Sequence, residues 1–244
     1  WPVAELHNMS DLGRLLNVDQ GELAWFADVR CWERDAQAPL RHYRWRSLQR
    51  ADGIRLIAAP KPRLKEMQRR LLRHVLAPIP IHDAAHGCVA GRSVRSAVTP
   101  HAGAPVVLRL DLEAFFGSIP AGRVWGLLRT AGLPEAVAHT ITGLVTAVVP
   151  LDVWRAAPVP PDIDAHRRLG RQLARPHLPQ GAPTSPAAAN LVAFALDRRL
   201  AGLGGWCFSR GGPRLLLIIR GELRWLTRFF WGVVDDVGCD AEAA

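Results

Sequence analysis

Apolar residues recur at helical spacing in some stretches of the chain and at strand spacing in others. Leu64, Met67, Leu71 and Val75 return every three or four residues, which predicts a helix with one buried stripe. Arg69, Arg70 and Arg73 fall on its other faces, and Pro78 and Pro80 end it. Upstream, Leu23, Phe26 and Val29, with Trp25 and Trp32 nearby, predict an amphipathic helix reaching about Glu33, its aromatics in the core. Ser10 is the expected cap of a shorter helix before it. Residues 42–48 and 53–58 flank Ala51-Asp52-Gly53 and read as a β-hairpin with an Asp-Gly turn, Arg55 lying on its second strand. The apolar run 106–110, interrupted by Arg109 alone, predicts a buried strand ending at Asp111.

Farther on, the pattern predicts helices over about 121–130 and 135–148. A Pro- and Arg-rich stretch, 150–179, comes nearest to low complexity. Leu178-Pro179-Gln180-Gly181 reads as a turn, after which Ser185 or Thr184 caps a helix to Leu200. Residues 215–234 read as strand or helix followed by an amphipathic helix, with Asp235 and Asp236 at its exposed end. There is no internal repeat or coiled-coil heptad. Strands and helices in this order predict an α+β fold.

Composition narrows the classes. With 244 residues and 49% hydrophobic content the chain can bury a core, and no stretch approaches the roughly 18 apolar residues of a membrane span. Residues 1–30 have no signal-peptide pattern, so the expected location is cytoplasmic, with no membrane partner. Cys31, Cys88, Cys207 and Cys239 have neither zinc-ligand spacing nor a disulfide pattern. Net charge is +9, almost all of it arginine, since Lys61 and Lys65 are the only lysines. That balance suits a polyanion: cationic side chains neutralise phosphates, and planar guanidinium adds bidentate contacts. Genomic compositional bias toward Ala, Arg, Gly and Pro accounts for the same arginines without a ligand.

Asp111, directly after an apolar strand, has two readings. It is a strand-terminal turn or cap residue, or it is a metal ligand of the kind that phosphoryl-transfer sites place at the ends of adjacent central strands. Its context favours the second. Leu108-Arg109-Leu110-Asp111-Leu112-Glu113-Ala114-Phe115-Phe116-Gly117-Ser118-Ile119 resembles the first palm motif of retron and group II intron reverse transcriptases. Leu178-Pro179-Gln180-Gly181-Ala182-Pro183-Thr184-Ser185-Pro186, followed by Asn190, resembles that family's Pro-Gln-Gly motif and its helix. Gly53-Ile54-Arg55-Leu56-Ile57, then Pro60-Lys61-Pro62-Arg63-Leu64-Lys65 with Gln68, resembles its fingers strand and the segment after it. His86-Gly87-Cys88-Val89-Ala90-Gly91-Arg92-Ser93 resembles the block that lies along template. His101 sits near the place of a retron Asn-Ala-x-x-His element, without the Asn.

The resemblance implies roles for single residues. Asp111 would be catalytic and bind metal, and Phe116 would block the ribose 2′-hydroxyl of an incoming nucleotide. Gln180, Gly181 and Arg55 would contact the nucleotide, the glycine by letting backbone come close. Arg63 and Arg92 would contact template or primer. Glu113 reads as solvated, Phe115 as packing, His86 as a satisfied imidazole and Asp197 as a structural helix charge. The implied fold is a right-hand polymerase fingers and palm, its mixed or antiparallel palm sheet backed by helices, with no thumb. The implied divisions are a helical extension (1–35), fingers (36–104), palm (105–203) and a divergent remainder (204–244).

Past Leu203 the resemblance stops. Where the family continues into a hairpin carrying Tyr-Ala-Asp-Asp, this chain reads Gly204-Gly205-Trp206-Cys207-Phe208-Ser209-Arg210-Gly211-Gly212. Phe208-Ser209 reads as the far end of that hairpin, with the catalytic strand deleted. The later pair Asp235 and Asp236 is either a displaced metal-binding pair or helix-end charge. Two functions therefore compete. One is an RNA-directed DNA polymerase transferring nucleotides from dNTP to a primer 3′-hydroxyl, with two Mg2+ ions, or Mn2+ in their place, on an RNA template with a DNA or RNA primer. The other is an inactive relative that binds RNA or a partner protein. A cognate non-coding RNA, an effector protein and a role in antiviral defence are implied by the retron likeness alone.

Overall fold

The computed structural model describes residues 3–50, 53–104, 107–202, 207–211 and 214–218. Helix α1 (Met9–Leu16) starts behind Asn8, whose side chain accepts the Asp11 N–H while the Asp11 carboxylate accepts the Asn8 N–H. This exchange satisfies backbone groups that a helix start leaves over. Asn8, not Ser10, is thus the cap. Helix α2 (Gln20–Ala27), capped by Asp19, stops where Asp28 turns left-handed at φ 40°. The Asp28 carboxylate then accepts the Trp32 and Glu33 N–H groups, both at 2.9 Å, and opens a 3-10 turn over Trp32–Asp35. The expected helix to Glu33 is therefore broken. Leu23 and Ala27 are buried, but Trp25 and Trp32 are 50% and 65% exposed and do not belong to the core.

The hairpin forms as its pattern predicts. Strands β1 (Tyr43–Arg50) and β2 (Gly53–Pro60) pair antiparallel, with Trp45 opposite Ala58 and Leu48 opposite Arg55. Along β2, buried Leu56 and Ala58 alternate with exposed Arg55 and Ala59, the period of two that a half-buried strand requires. Helix α3 (Pro62–Leu71) carries proline in its first turn, where no N–H is missed, and runs on through a π-helical turn, Leu72–Leu76. Leu64, Met67, Leu71 and Val75 are all buried, each contributing roughly 2 kcal/mol. Among them Gln68 is buried as well. Its amide donates to Tyr43 Oη at 2.9 Å and to the Leu144 carbonyl at 2.8 Å, tying β1 and α3 to helix α6 (Glu135–Val145).

One core joins α1, α2, α3 and α6 with helix α5 (Ala121–Thr130) and helix α9 (Ser185–Val192). The Pro- and Arg-rich stretch is more ordered than its composition predicts. It holds helix α7 (Leu151–Arg155) and helix α8 (Ile163–Leu173), with Trp154 stacked on His166 at 4.3 Å and Asp152 gripped by Arg41 at 2.8 and 3.0 Å. The single helix expected to run to Leu200 is two, α9 and α10 (Phe194–Ala201), which meet at Ala193. Neither expected hydroxyl caps it: Ser185 Oγ donates to the Pro179 carbonyl, and Thr184 is buried at the cap position without a side-chain cap bond.

A second sheet has strands β3 (Val107–Asp111), β4 (Cys207–Gly211) and β5 (Arg214–Ile218) in the order β3-β5-β4, antiparallel throughout. Residues 207–211 and 214–218 supply two strands, one of them beside β3, and neither carries the family's Tyr-Ala-Asp-Asp. Their apolar run is too short to distinguish strand from helix until its partner is known. The molecule is thus mixed α and β, largely helical, with small antiparallel sheets. Residues 235 and 236 lie outside the described residues.

One half-buried acid makes the fold sensitive to pH. The Glu33 carboxylate accepts the His42 and Tyr43 N–H groups at 2.7 and 3.2 Å and lies 3.4 Å from His42 Nδ1. Burial pushes its carboxyl up to about 7 and pushes His42 down. A carboxyl that holds its proton more tightly when folded stabilises less as pH rises from its unfolded toward its folded value. Glu33→Gln should therefore gain Tm relative to the parent as pH rises from 5 to 7, with a constant difference above that. A pH-independent difference between the two melting curves would reject this account of Glu33.

Candidate functional site

The segments marked out in the sequence meet through backbone hydrogen bonds. β3 ends at the exposed Asp111, and the chain turns through 113–118, with Ala114 at φ 43°. That turn buries Phe115 and half-buries Phe116, their rings 5.6 Å apart; Glu113 is exposed. Phe115 packs as expected. At the end of the turn Ile119 accepts the Leu178 N–H at 3.2 Å, drawing Pro179-Gln180-Gly181 alongside. The Gln180 carbonyl accepts the Ala58 N–H of β2 at 2.7 Å. Gly181 lies at φ 120°, and a β-carbon there would sit 2.9 Å from the Ala58 oxygen. The backbone that Gly181 approaches is β2, whereas the sequence pointed to nucleotide or template.

Arg55 is exposed on β2, a few residues before Ala58. Arg44 and Arg46, also exposed, share its face of the hairpin, because Leu48 is registered against Arg55 and alternate strand residues point the same way. Sequence reasoning picked out Arg55 alone. The spacing of two between Arg44 and Arg46 was the signal for the others. Three like charges on one small face repel one another and attract a polyanion.

The other two expected phosphate ligands are engaged within the protein. Arg63 holds the Glu22 carboxylate at 2.5 and 2.8 Å and the Asn17 carbonyl at 3.0 Å, the carboxylate raising its already high pKa. Arg92 donates to the carbonyls of His82, Asp83 and Ala85 at 3.1, 2.7 and 2.6 Å, and to the Asp83 carboxylate at 3.2 Å. It closes its own loop. From that loop His86 Nδ1 meets Ser96 Oγ of helix α4 (Val94–Val98) at 2.9 Å, the satisfied imidazole expected, although half-buried. His101 is buried with Nε2 2.8 Å from Ser209 Oγ, which donates to the Ala97 carbonyl. Burial holds both imidazoles below the usual range.

Behind these segments lies a buried clasp that the sequence did not disclose. The Arg210 guanidinium, fully buried, makes two bonds to the equally buried Asp197 carboxylate, at 2.8 and 2.7 Å, and one to Asn190 Oδ1 at 2.9 Å. Its backbone N–H donates to the Ala84 carbonyl, and its carbonyl accepts the His86 and Gly87 N–H groups. Asn190 Nδ2 donates to the Gly87 carbonyl at 2.9 Å. One residue of β4 thus joins the helix pair α9 and α10 to the loop of Arg92, and Asp197 is more than a helix charge.

Two divalent ions beside Asp111, as the resemblance implies, would need several hard oxygen donors at one place. Among the described residues no three His, Cys, Asp or Glu side chains are gathered to hold an ion. The residue registered against Asp111 on the neighbouring strand is Arg214. The described residues do not fit a two-ion site. Among them, too, no helix is long and apolar enough to cross a membrane.

No protein-family model matches the chain. Individual proteins do. It is 35% identical over 212 residues to the retron Mx162 reverse transcriptase of Myxococcus xanthus, covering 85% of this chain and 41% of that protein. With the retron Mx65 reverse transcriptase of the same organism it shares 38% over 207 residues, 82% of this chain and 44% of the relative. With the retron Ec86 reverse transcriptase of Escherichia coli it shares 31% over 158 residues, 65% and 40%. The chain spans less than half the length of these curated relatives. Ordered motifs, a hydrogen-bonded assembly of the segments that carry them, and this identity over most of its length make the chain a member of the retron-type reverse transcriptase family.

Proposed function

We propose that this chain supplies the fingers (36–104) and palm (105–203) of an RNA-directed DNA polymerase, preceded by a helical extension (1–35), with 204–244 a divergent remainder of the palm. The observation that carries the reading is the bonded path from the Asp111 turn through Ile119 and Leu178 to Gln180, and from Gln180 to β2. It sets Asp111, Phe116, the Pro-Gln-Gly turn and the arginine face of the hairpin on one connected frame. In this reading Arg55, Arg44 and Arg46 meet phosphate, Gln180 and Phe116 meet the nucleotide, and Asp111 is the catalytic carboxylate. Nucleotidyl transfer also requires carboxylates beyond Asp111, for which Asp235 and Asp236 are the sequence's candidates. RNA template, primer and dNTP are the proposed ligands.

A second reading, RNA binding without synthesis, is favoured by Arg214 standing opposite Asp111. Primer extension on an RNA template with Mg2+ distinguishes the two, with Asp111→Ala as control. Extension abolished by that change establishes the polymerase and promotes Asp235 and Asp236. Retained RNA binding without extension establishes the second reading. Under either one, replacing Arg44, Arg46 and Arg55 with alanine should weaken binding of a labelled single-stranded RNA. The slope of log K against log salt should become shallower by about 0.7 per lost phosphate contact, hence by about 2 in all. An unchanged slope in fluorescence anisotropy would remove the hairpin face from the interface.

A further inference from the structure

The β1–β2 hairpin and helix α8 form two layers. Trp45, Ile54 and Leu56, on one face of the hairpin, share an apolar cluster with Trp154 of α7 and with Leu169 and Leu173 of α8. Alternate strand residues point to opposite faces, so Arg44, Arg46 and Arg55 look away from α8. The helix mirrors this arrangement. Two residues along a helix turn it by about 200°, so Arg167 and Arg171, on either side of Leu169, look away from the hairpin, and both are exposed. Arg175, exposed as well, follows just past the helix end. Arginines thus stand on the two outer surfaces, with an apolar layer between them.

The fold gains little from the row on α8. Like charges four residues apart on a helix repel, and the C-terminal dipole favours cations only in the last turn, where α8 has Arg171 alone. Asp164 reaches Arg167 at 3.4 Å, but both side chains are largely exposed, and such pairs contribute little. Arg171 and Arg175 hold no acceptor among the described residues. Arg41, Arg63, Arg92 and Arg210, by contrast, each grip one within the protein. From 165 to 180 the chain has four arginines and no acidic residue. Helix residues four apart lie about 6 Å apart along the axis, on the scale of successive phosphates in a nucleic-acid strand, and guanidinium is suited to bidentate phosphate contact.

We infer that the outer face of α8 is a second RNA-binding surface, which takes the phosphates of a segment running behind the hairpin rather than over its Arg44, Arg46 and Arg55 face. The inference rests on the proposed function for the identity of the partner, RNA, and needs neither a metal ion nor Asp111. An acidic protein is the other partner such charges could meet. The net charge of +9 favours RNA, because the field of the whole chain draws a polyanion to every basic surface.

The test is fluorescence anisotropy of a labelled oligouridylate long enough to reach both layers, titrated with the full chain across a range of salt, with circular dichroism to verify folding. Arg167→Gln/Arg171→Gln/Arg175→Gln should weaken binding and make the slope of log K against log salt shallower by about 2, at about 0.7 for each lost phosphate contact. Combined with Arg44→Ala/Arg46→Ala/Arg55→Ala, the two changes should add, since the surfaces share no residue. Arg14→Gln/Arg69→Gln/Arg73→Gln removes the same charge from exposed positions elsewhere and should change the slope by less than one contact does. Arg171→Gln alone should make it shallower by about 0.7, which decides the matter even where the triple variant fails to fold. Folded α8 variants that bind as the parent does would overturn the inference and leave the row to an acidic protein. An equal loss in the control would overturn it as well, as an effect of net charge. A loss in the α8 variant with none in the hairpin variant would defeat the hairpin interface of the proposed function and leave the inference standing, whereas the reverse result would defeat the inference alone.

Discussion

Asp197→Ala should lower the free energy of unfolding by about 3 to 5 kcal/mol. The change removes both carboxylate bonds to a guanidinium that has no access to water and leaves its bond to Asn190 Oδ1 without a balancing charge. Domain stability is roughly 5 to 15 kcal/mol, so a loss of this size puts the folded state near its limit at growth temperature. Urea unfolding measures it. A companion change to two apolar residues, Asp197→Leu with Arg210→Met, should recover most of the loss, because the penalty belongs to an unpaired buried charge rather than to the missing attraction. A double variant no more stable than Asp197→Ala would show that packing, not charge, holds this clasp.

The second large effect is expected at Gly181. Alanine there must adopt φ 120°, a region almost closed to residues with a β-carbon, and must also push against the Ala58 oxygen at 2.9 Å. Strain of that kind costs about 1 to 3 kcal/mol, and forced overpacking adds a similar amount, so roughly 2 to 4 kcal/mol should be lost. Gly53→Ala separates the two contributions. Its φ is 132° but a β-carbon would meet nothing within 4 Å, so it should show the strain alone. Because Gly181 joins the Pro-Gln-Gly turn to the strand of Arg55, Gly181→Ala should also weaken RNA binding where Gly53→Ala does not. Equal unfolding losses in the two variants would eliminate the Ala58 contact as a cause.

Much of the scaffold was legible in the sequence because its signals are local. An Asp-Gly turn between two strand-like runs fixed the hairpin, a repeat of three and four residues fixed α3, and four apolar residues among the five ahead of Asp111 fixed β3. What escaped was what depends on distant partners. Trp25 and Trp32 looked like core because they are large and apolar, yet the stripe through Leu23 and Ala27 leaves Trp25 outside, and Asp28 ends the helix before Trp32. Arg210 sits beside glycines, and nothing local marks it for burial. Its burial depends on Asp197 and Asn190 from other elements, which no window around residue 210 contains. Motif likeness identified the segments of the candidate site in order, but not the bonds Arg63 and Arg92 make inside the protein, nor the arginine across from Asp111.

The order β3-β5-β4 also bears on how the molecule is made. Its last described strand is the middle one, and β3 and β4 touch it rather than each other. While the chain emerges from the ribosome, β3 must wait for residues 214–218 before its backbone N–H and C=O groups find a partner, whereas the β1–β2 hairpin closes at once. Asp111 therefore reaches its final surroundings only after the rest of the frame has been synthesised. Any shortening of the chain ahead of Arg214 would part β3 from β4 and expose an unpaired strand edge.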